Sequence, residues 1–377
     1  MKQVLQICCK NNKKTQDVAI GSTLSDVFKQ FNLKMPYGPI CARVNNKVVG
    51  MNYQLYHNKD VEFLDMHDAS ASRNYTRTLF FILCKAVHDL YPGSRVVIDI
   101  PVSKGYYINL HIGREVTDED AARIRERIQQ IIDEKIPIER FEVRTEEAIR
   151  MFEQKGDEAK VKLLKSVGSL YTVYHRIDDY VDYYYGALLT NTSDIYLFGL
   201  ERYFEGLLLR IPSKHDPSQL GAFVKQDKMF EVFLEQHRWQ HILGVSTIGD
   251  FNEAVKAGHA TNLINVSEAL PEKKISQIAD QITTHPEVRV VLIAGPSSSG
   301  KTTFCKRLSI QLLANGIRPV QISLDDYFVD REKTPKDADG DWDYESIHAL
   351  DINLINLQLS ALFRGEEVEL PKYDFLS

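Results

Sequence analysis

The chain has 377 residues, of which 44% are hydrophobic and 26% charged, and a formal net charge of -6. That length points to two or three domains with real cores, and the negative charge excludes a global basic field for recruiting nucleic acid, leaving only a local basic face open. The five cysteines (8, 9, 41, 84 and 305) form no CxxC pair, the start MKQVLQICCKNNKK has no signal-peptide core, and no stretch has the ~18 apolar residues of a membrane span, so a cytoplasmic protein without a membrane partner is expected.

Residues 1–66 read as one unit. Val4–Cys9 and Val18–Ile20 alternate as a hairpin, and Ser22-Thr23 caps a helix whose face is Leu24, Val27, Phe28 and Phe31. Pro39–Val44, Lys47–Val49 and Val61–Met66 are expected strands, the first two joined at the turn-prone Asn45-Asn46. Strands around one helix suggest a ubiquitin-like β-grasp.

Residues 67–270 are expected to be α+β. Thr76–Leu90 carries a helical stripe of Leu79, Phe80, Leu83, Val87 and Leu90, and Arg95–Val102 and Tyr106–Ile112 read as strands. Thr117 with Asp120 is a capping-box pattern ahead of Ile124, Ile128, Ile131 and Ile132. The cluster Tyr180, Tyr183, Tyr184 and Tyr185 reads as a half-buried strand in preference to a base-stacking surface.

The pattern changes to α/β in residues 271–377. A helix at 272–284 is followed by the apolar run Val288–Ala294, expected as a buried parallel strand. A helix with Phe304, Leu308 and Leu312 on one face ends at Asn315-Gly316, and Pro319–Leu324 is expected as a second parallel strand. Asp351 caps a last helix that closes at Gly365.

Between the first of those strands and its helix stands Gly295-Pro-Ser-Ser-Ser-Gly300-Lys301-Thr302, which fits G-x-x-x-x-G-K-[ST]. Glycines let backbone N–H groups approach phosphate oxygens, and the helix start adds its positive dipole end. The expectation is that Gly295, Ser297, Ser298, Ser299, Gly300, Lys301, Thr302 and Thr303 hold the phosphates of ATP, with the Thr302 hydroxyl on Mg²⁺. Asp325-Asp326, at the end of the second expected strand, puts an acid beside the γ-phosphate site.

The segments SLDDYF (323–328), WDYESIHALD (342–351) and LPKYDF (370–375) resemble the uridine kinase and phosphoribulokinase group. The resemblance implies an ATP-dependent kinase that phosphorylates the 5′-hydroxyl of uridine or a similar nucleoside. Asp325 would be general base and metal contact, Lys301 would serve the transferred phosphoryl group, and Glu345, Phe328, Tyr344, Tyr373 and Phe375 would bind the acceptor. A phosphoribulokinase-like sugar-phosphate kinase is the neighbouring alternative. The same resemblance implies that the lid arginines and later strands would follow Ser377, so the chain reads as carrying the N-terminal part of a kinase domain.

GSTLSDVFKQF, PICARVNNKVVGMNYQL and VEFLD resemble TGS domains, and LCKAVHDLYPG (83–93) with DDYVDYYYGALLTNTSDIYLFGL (178–200) resembles the second additional domain of threonyl-tRNA synthetases, which edits mischarged tRNA. Its HxxxH and CxxxH positions fall here on Arg77, Phe81, Tyr184 and Leu188, a set that offers no shared zinc site, so neither zinc nor editing is expected. His237 and His241 have i, i+4 spacing but lie outside the aligned helix and read as a structural pair. These front modules imply weak RNA binding, and with it a second alternative: a nucleotide-dependent RNA- or ribosome-associated regulator with the P-loop as its switch.

Overall fold

The computed structural model describes residues 4–337 and 340–374, which divide into two compact units, 1–259 and 260–377. In the first unit, β1 (Val4–Cys9) and β2 (Lys14–Ala19) form the expected hairpin, followed by α1 (Leu24–Gln30), β3 (Cys41–Val44), β4 (Lys47–Val49) and β5 (Lys59–Leu64). The sheet order is β2-β1-β5-β3-β4, with β1 and β5 parallel. α1 starts where expected because Thr23 and Asp26 close a reciprocal capping box. Ile7, Val18, Leu24, Val27, Val61 and Phe63 fill the space between helix and sheet, the β-grasp arrangement the pattern anticipates. Asn45 turns the chain between β3 and β4 with φ of 53°.

α2 runs Ala69–Leu90, starting earlier than the apolar stripe indicates because Asp68 caps it, accepting from Ser70 N–H at 2.7 Å. Then come β6 (Arg95–Val102), β7 (Gly105–His111), α3 (Asp118–Asp133), β8 (Glu139–Arg144), α4 (Thr145–Gln154), α5 (Glu158–Val167), β9 (Tyr171–Ile177), β10 (Tyr180–Asp182), β11 (Gly199–Tyr203) and β12 (Gly206–Arg210). They build a four-stranded sheet β11-β12-β7-β6 and a three-stranded sheet β10-β9-β8. α2 and α3 supply the largest core, in which Tyr75, Leu79, Phe81, Leu83, Ile124 and Ile128 meet Ile108 and Leu207. The expected Thr117–Asp120 box forms, and Arg114 grips the buried Asp120 through both oxygens at 2.6 and 2.7 Å. α6 (Asp227–Ile242) and α7 (Ile248–Lys256) complete this unit.

The second unit opens on α8 (Ala260–Thr283), which begins well before the expected 272 and runs through Pro271. The apolar face Ile275, Ile278, Ala279 and Ile282 marks only the second half of this helix, and the proline, costly inside a helix, does not end it. α9 (Lys301–Ala314) packs on α8 through Ile275, Ala279, Leu308 and Leu312, and α10 (Ile352–Phe363) follows Asp351 as expected. The two parallel strands expected here are not formed. Val288–Ala294 and Pro319–Ser323 have no strand pairing among the described residues, and Leu292 is 88% and Val320 65% exposed. Parallel pairing is the weaker kind and two strands alone are marginal, so an apolar run by itself does not make a sheet. The P-loop α/β sheet is therefore absent among the described residues, while the mixed α/β, multidomain class stands.

Candidate functional site

The glycine-rich loop leads directly into α9, whose first residue is Lys301. Gly300 caps the helix with φ of 87° and no side-chain cap, which leaves the leading N–H groups of the helix turned toward the loop mouth. Ser298 also adopts a left-handed conformation, φ 59°. A Cβ on Gly295 would stand 2.8 Å from Ser299 Oγ, so a side chain there would make Ser299 turn away. Lys301 Nζ donates to the carbonyls of Gly295 (2.8 Å) and Pro296 (3.0 Å), folding its charge back over the loop. Ser297, Ser299, Thr302 and Thr303 are exposed around this mouth.

The expected acceptor residues come together only in part. Phe328 packs edge-on against Tyr344 with ring centroids 5.7 Å apart, and Tyr373 lies 5.6 Å from the same ring. The backbone N–H of Tyr373 donates to Asp326 at 3.4 Å, so Asp326 and not Asp325 faces this cluster. Asp325 and Glu345 are exposed, and no hydrogen bond or ion pair joins Asp325 to Lys301 among the described residues. Phe375 lies outside the described residues.

The synthetase-like residues are better assembled. Arg77 and Phe81 stand one turn apart on α2, and the chain after β10 returns beside them. Tyr184 meets Phe81 with centroids 5.5 Å apart, Leu188 is buried in the same core, and Leu189 N–H donates to Thr78 Oγ1 at 2.8 Å. Behind this contact the Tyr184 hydroxyl points to Cys84 Sγ at 3.8 Å, and burial pushes the Cys84 thiol up to about 12. Asp182 accepts from Lys160 Nζ (2.5 Å), Tyr180 Oη (3.1 Å) and Tyr183 N–H (2.6 Å). His175, held at about 4 by burial and then by Arg140, sits beside Phe81. An aromatic and ion-paired plug thus packs around Phe81, Tyr184 and Asp182. Composition gave no sign of the Lys160–Asp182 pair, because its two partners come from separate elements.

Tyr185 breaks the expected strand. β10 ends at Asp182, Tyr180 and Tyr184 turn into the core, and Tyr185 is 86% exposed. His237 and His241 do share a helix, α6, as their spacing indicates. Among the described residues no three His, Cys, Asp or Glu side chains gather as a metal site would need, and no helix is long and apolar enough to cross a membrane.

Comparison with known proteins bears on the synthetase-like part. The chain is similar to threonine–tRNA ligase of Natranaerobius thermophilus, 30% identical over 155 residues, 41% of this chain and 24% of that protein. It is 29% identical to that of Clostridium kluyveri over 192 residues, 50% of this chain and 30% of that protein. It is 25% identical to that of Rubrobacter xylanophilus over 236 residues, 60% of this chain and 36% of that protein. The chain thus spans only about a quarter to a third of the length of these relatives. No family model matches. These relatives overturn the expected nucleoside kinase: they are threonine–tRNA ligases, not phosphotransferases. The uridine or sugar-phosphate acceptor falls with it.

Proposed function

We propose that this chain is a tRNA-binding relative of the threonine–tRNA ligases in which the synthetase-like half contacts RNA without hydrolysing an aminoacyl ester, and the loop at Gly295–Thr302 holds nucleotide phosphates. The observation that carries the tRNA reading is the similarity to those ligases over 155 to 236 residues. The loss of ester hydrolysis rests on Arg77, Phe81, Tyr184 and Leu188, where no side chain offers a metal or a proton relay, and on the packed plug around Asp182. The nucleotide reading rests on the loop itself: two left-handed residues, an uncapped helix start and a lysine within reach. ATP with Mg²⁺ is the ligand of choice, the metal resting on the Thr302 hydroxyl and water, with Asp325 as a further contact.

The test is a mobility-shift titration of the purified chain with tRNA and with an unrelated RNA of equal length. The chain as a whole is acidic, so non-specific attraction is weak and a preference for tRNA should persist at physiological salt. Equal affinity for both RNAs would overturn the tRNA reading. Calorimetry with Mg-ATP tests the loop separately.

A further inference from the structure

α2 begins with two arginines one turn apart, Arg73 and Arg77, on the same helix face. Arg73 is exposed and donates to Ser70 Oγ at 3.3 Å, and the half-buried Arg77 donates to Asn74 Oδ1 at 3.2 Å. Both partners are neutral. Among the described residues neither guanidinium is paired with a carboxylate, in contrast to Arg43, Arg114, Arg127 and Arg176 of the same unit. Arg77 is held below the ordinary arginine range by burial first and by Arg73 second, and no carboxylate of the described residues is among the influences on it. Two uncompensated guanidiniums, one of them partly desolvated, are an arrangement that folding alone does not ask for.

The loop after β10 completes the surroundings. Gly186, with φ of 108°, lets the backbone come so close that a Cβ there would stand 2.7 Å from Arg77 Nη1. Beside it Tyr185 presents its ring to solvent at 86% exposure, near enough to influence Arg77. Forked donors with an adjacent aromatic face match a phosphate next to a base. Two positive charges without a counter-charge match a monoester, which carries close to two negative charges at neutral pH, better than the single charge of a diester.

We propose that Arg73, Arg77 and Tyr185 form a binding site for a nucleoside monophosphate, free or as the phosphorylated end of an RNA chain, with the phosphate on the two guanidiniums and the base on the tyrosine ring. The site is separate from the loop at Gly295–Thr302 and does not depend on the tRNA reading.

The experiment measures binding of UMP and AMP by calorimetry, and of a short single-stranded RNA with a 5′-phosphate or a 5′-hydroxyl by fluorescence polarisation. The 5′-phosphorylated RNA should bind at least about tenfold more tightly than its 5′-hydroxyl counterpart, the worth of a charge-assisted pair. Binding of UMP and AMP without any gain from the RNA chain assigns the site to free nucleotides; a gain with the RNA assigns it to RNA ends. Arg77→Gln and the exposed changes Arg73→Gln and Tyr185→Ala should each weaken the phosphate-dependent binding, whereas Lys301→Ala should leave it. Equal affinity for the two RNA ends together with no monophosphate binding overturns the site. So does monophosphate binding that is lost in Lys301→Ala and unchanged in Arg73→Gln and Tyr185→Ala.

Discussion

The part of the chain around α2 and the part around α9 both start from apolar runs of similar strength, yet they end differently. Around α2, antiparallel neighbours such as β6 and β7 lie next to one another in the chain, and they pair along nearly their whole length. Around α9, Val288–Ala294 and Pro319–Ser323 are separated by a helix, and neither is paired. Leu83 on α2 is fully buried and Leu292 is 88% exposed, although both look like core residues in the sequence. Apolar periodicity reports a wish to be buried; whether it is met depends on how near a partner lies in the chain.

The sharpest test of the packed half is the pair Lys160–Asp182. Asp182 has only 7% of its side chain exposed, so Lys160→Met leaves a buried carboxylate without its cation. Urea unfolding of the 1–259 unit should show a loss of about 3 kcal/mol or more. Replacing both residues with apolar ones should regain much of it; a single change that costs nothing would mean the pair is solvated.

His175 gives the same half a pH signature. Its ring is buried and its Nδ1 has no hydrogen-bond partner among the described residues, and burial lowers its pKa from 6.5 to about 4. The folded state resists protonation that the unfolded chain accepts at 6.5, so stability from this group is complete above that value and drains away as pH falls from 6.5 to 4. The shift is worth about 3 kcal/mol. Denaturant midpoints measured across that window should fall for the parent and fall less for His175→Gln; parallel curves would show that the ring is hydrated.

Lys301→Ala probes the other half through binding. If the loop holds nucleotide phosphates, removal of this charge should weaken Mg-ATP by about 2 kcal/mol while the unfolding midpoint stays put. Unchanged affinity in calorimetry would leave the loop without its proposed ligand.

Local chemistry explains which features were legible in advance. The Thr23 cap, the Thr117–Asp120 box and the Asp351 cap are each set by residues close together in the chain, and each forms where the sequence predicts it. The β1–β2 hairpin and the α9 face are local in the same sense. What stayed hidden is non-local: β8 pairs with β9 across two helices, and Lys160 reaches Asp182 from α5. Among the site residues, the loop at Gly295–Thr302 is visible because its motif is contiguous. In the sequence Tyr185 reads as one of four clustered strand tyrosines because nothing nearby marks the end of β10 at Asp182. The uncompensated charge on Arg73 and Arg77 is a property of their neighbours, not of their spacing.

The smallest expected effect is the most telling about the contrast. Leu292→Ser removes a large apolar side chain from the middle of the run that reads as a buried strand. In a buried parallel strand such a change costs several kcal/mol, because it loses both the transfer free energy of the side chain and the packing around it. At 88% exposure almost none of that side chain has left water, and the expected cost is within about 0.5 kcal/mol. Leu308→Ser on α9, 3% exposed and packed on α8, should cost about 3 kcal/mol in the same chain. Thermal unfolding of the two variants side by side reads the comparison directly. Equal losses would mean that Val288–Ala294 does find a strand partner in solution and that the difference between the two halves is one of assembly.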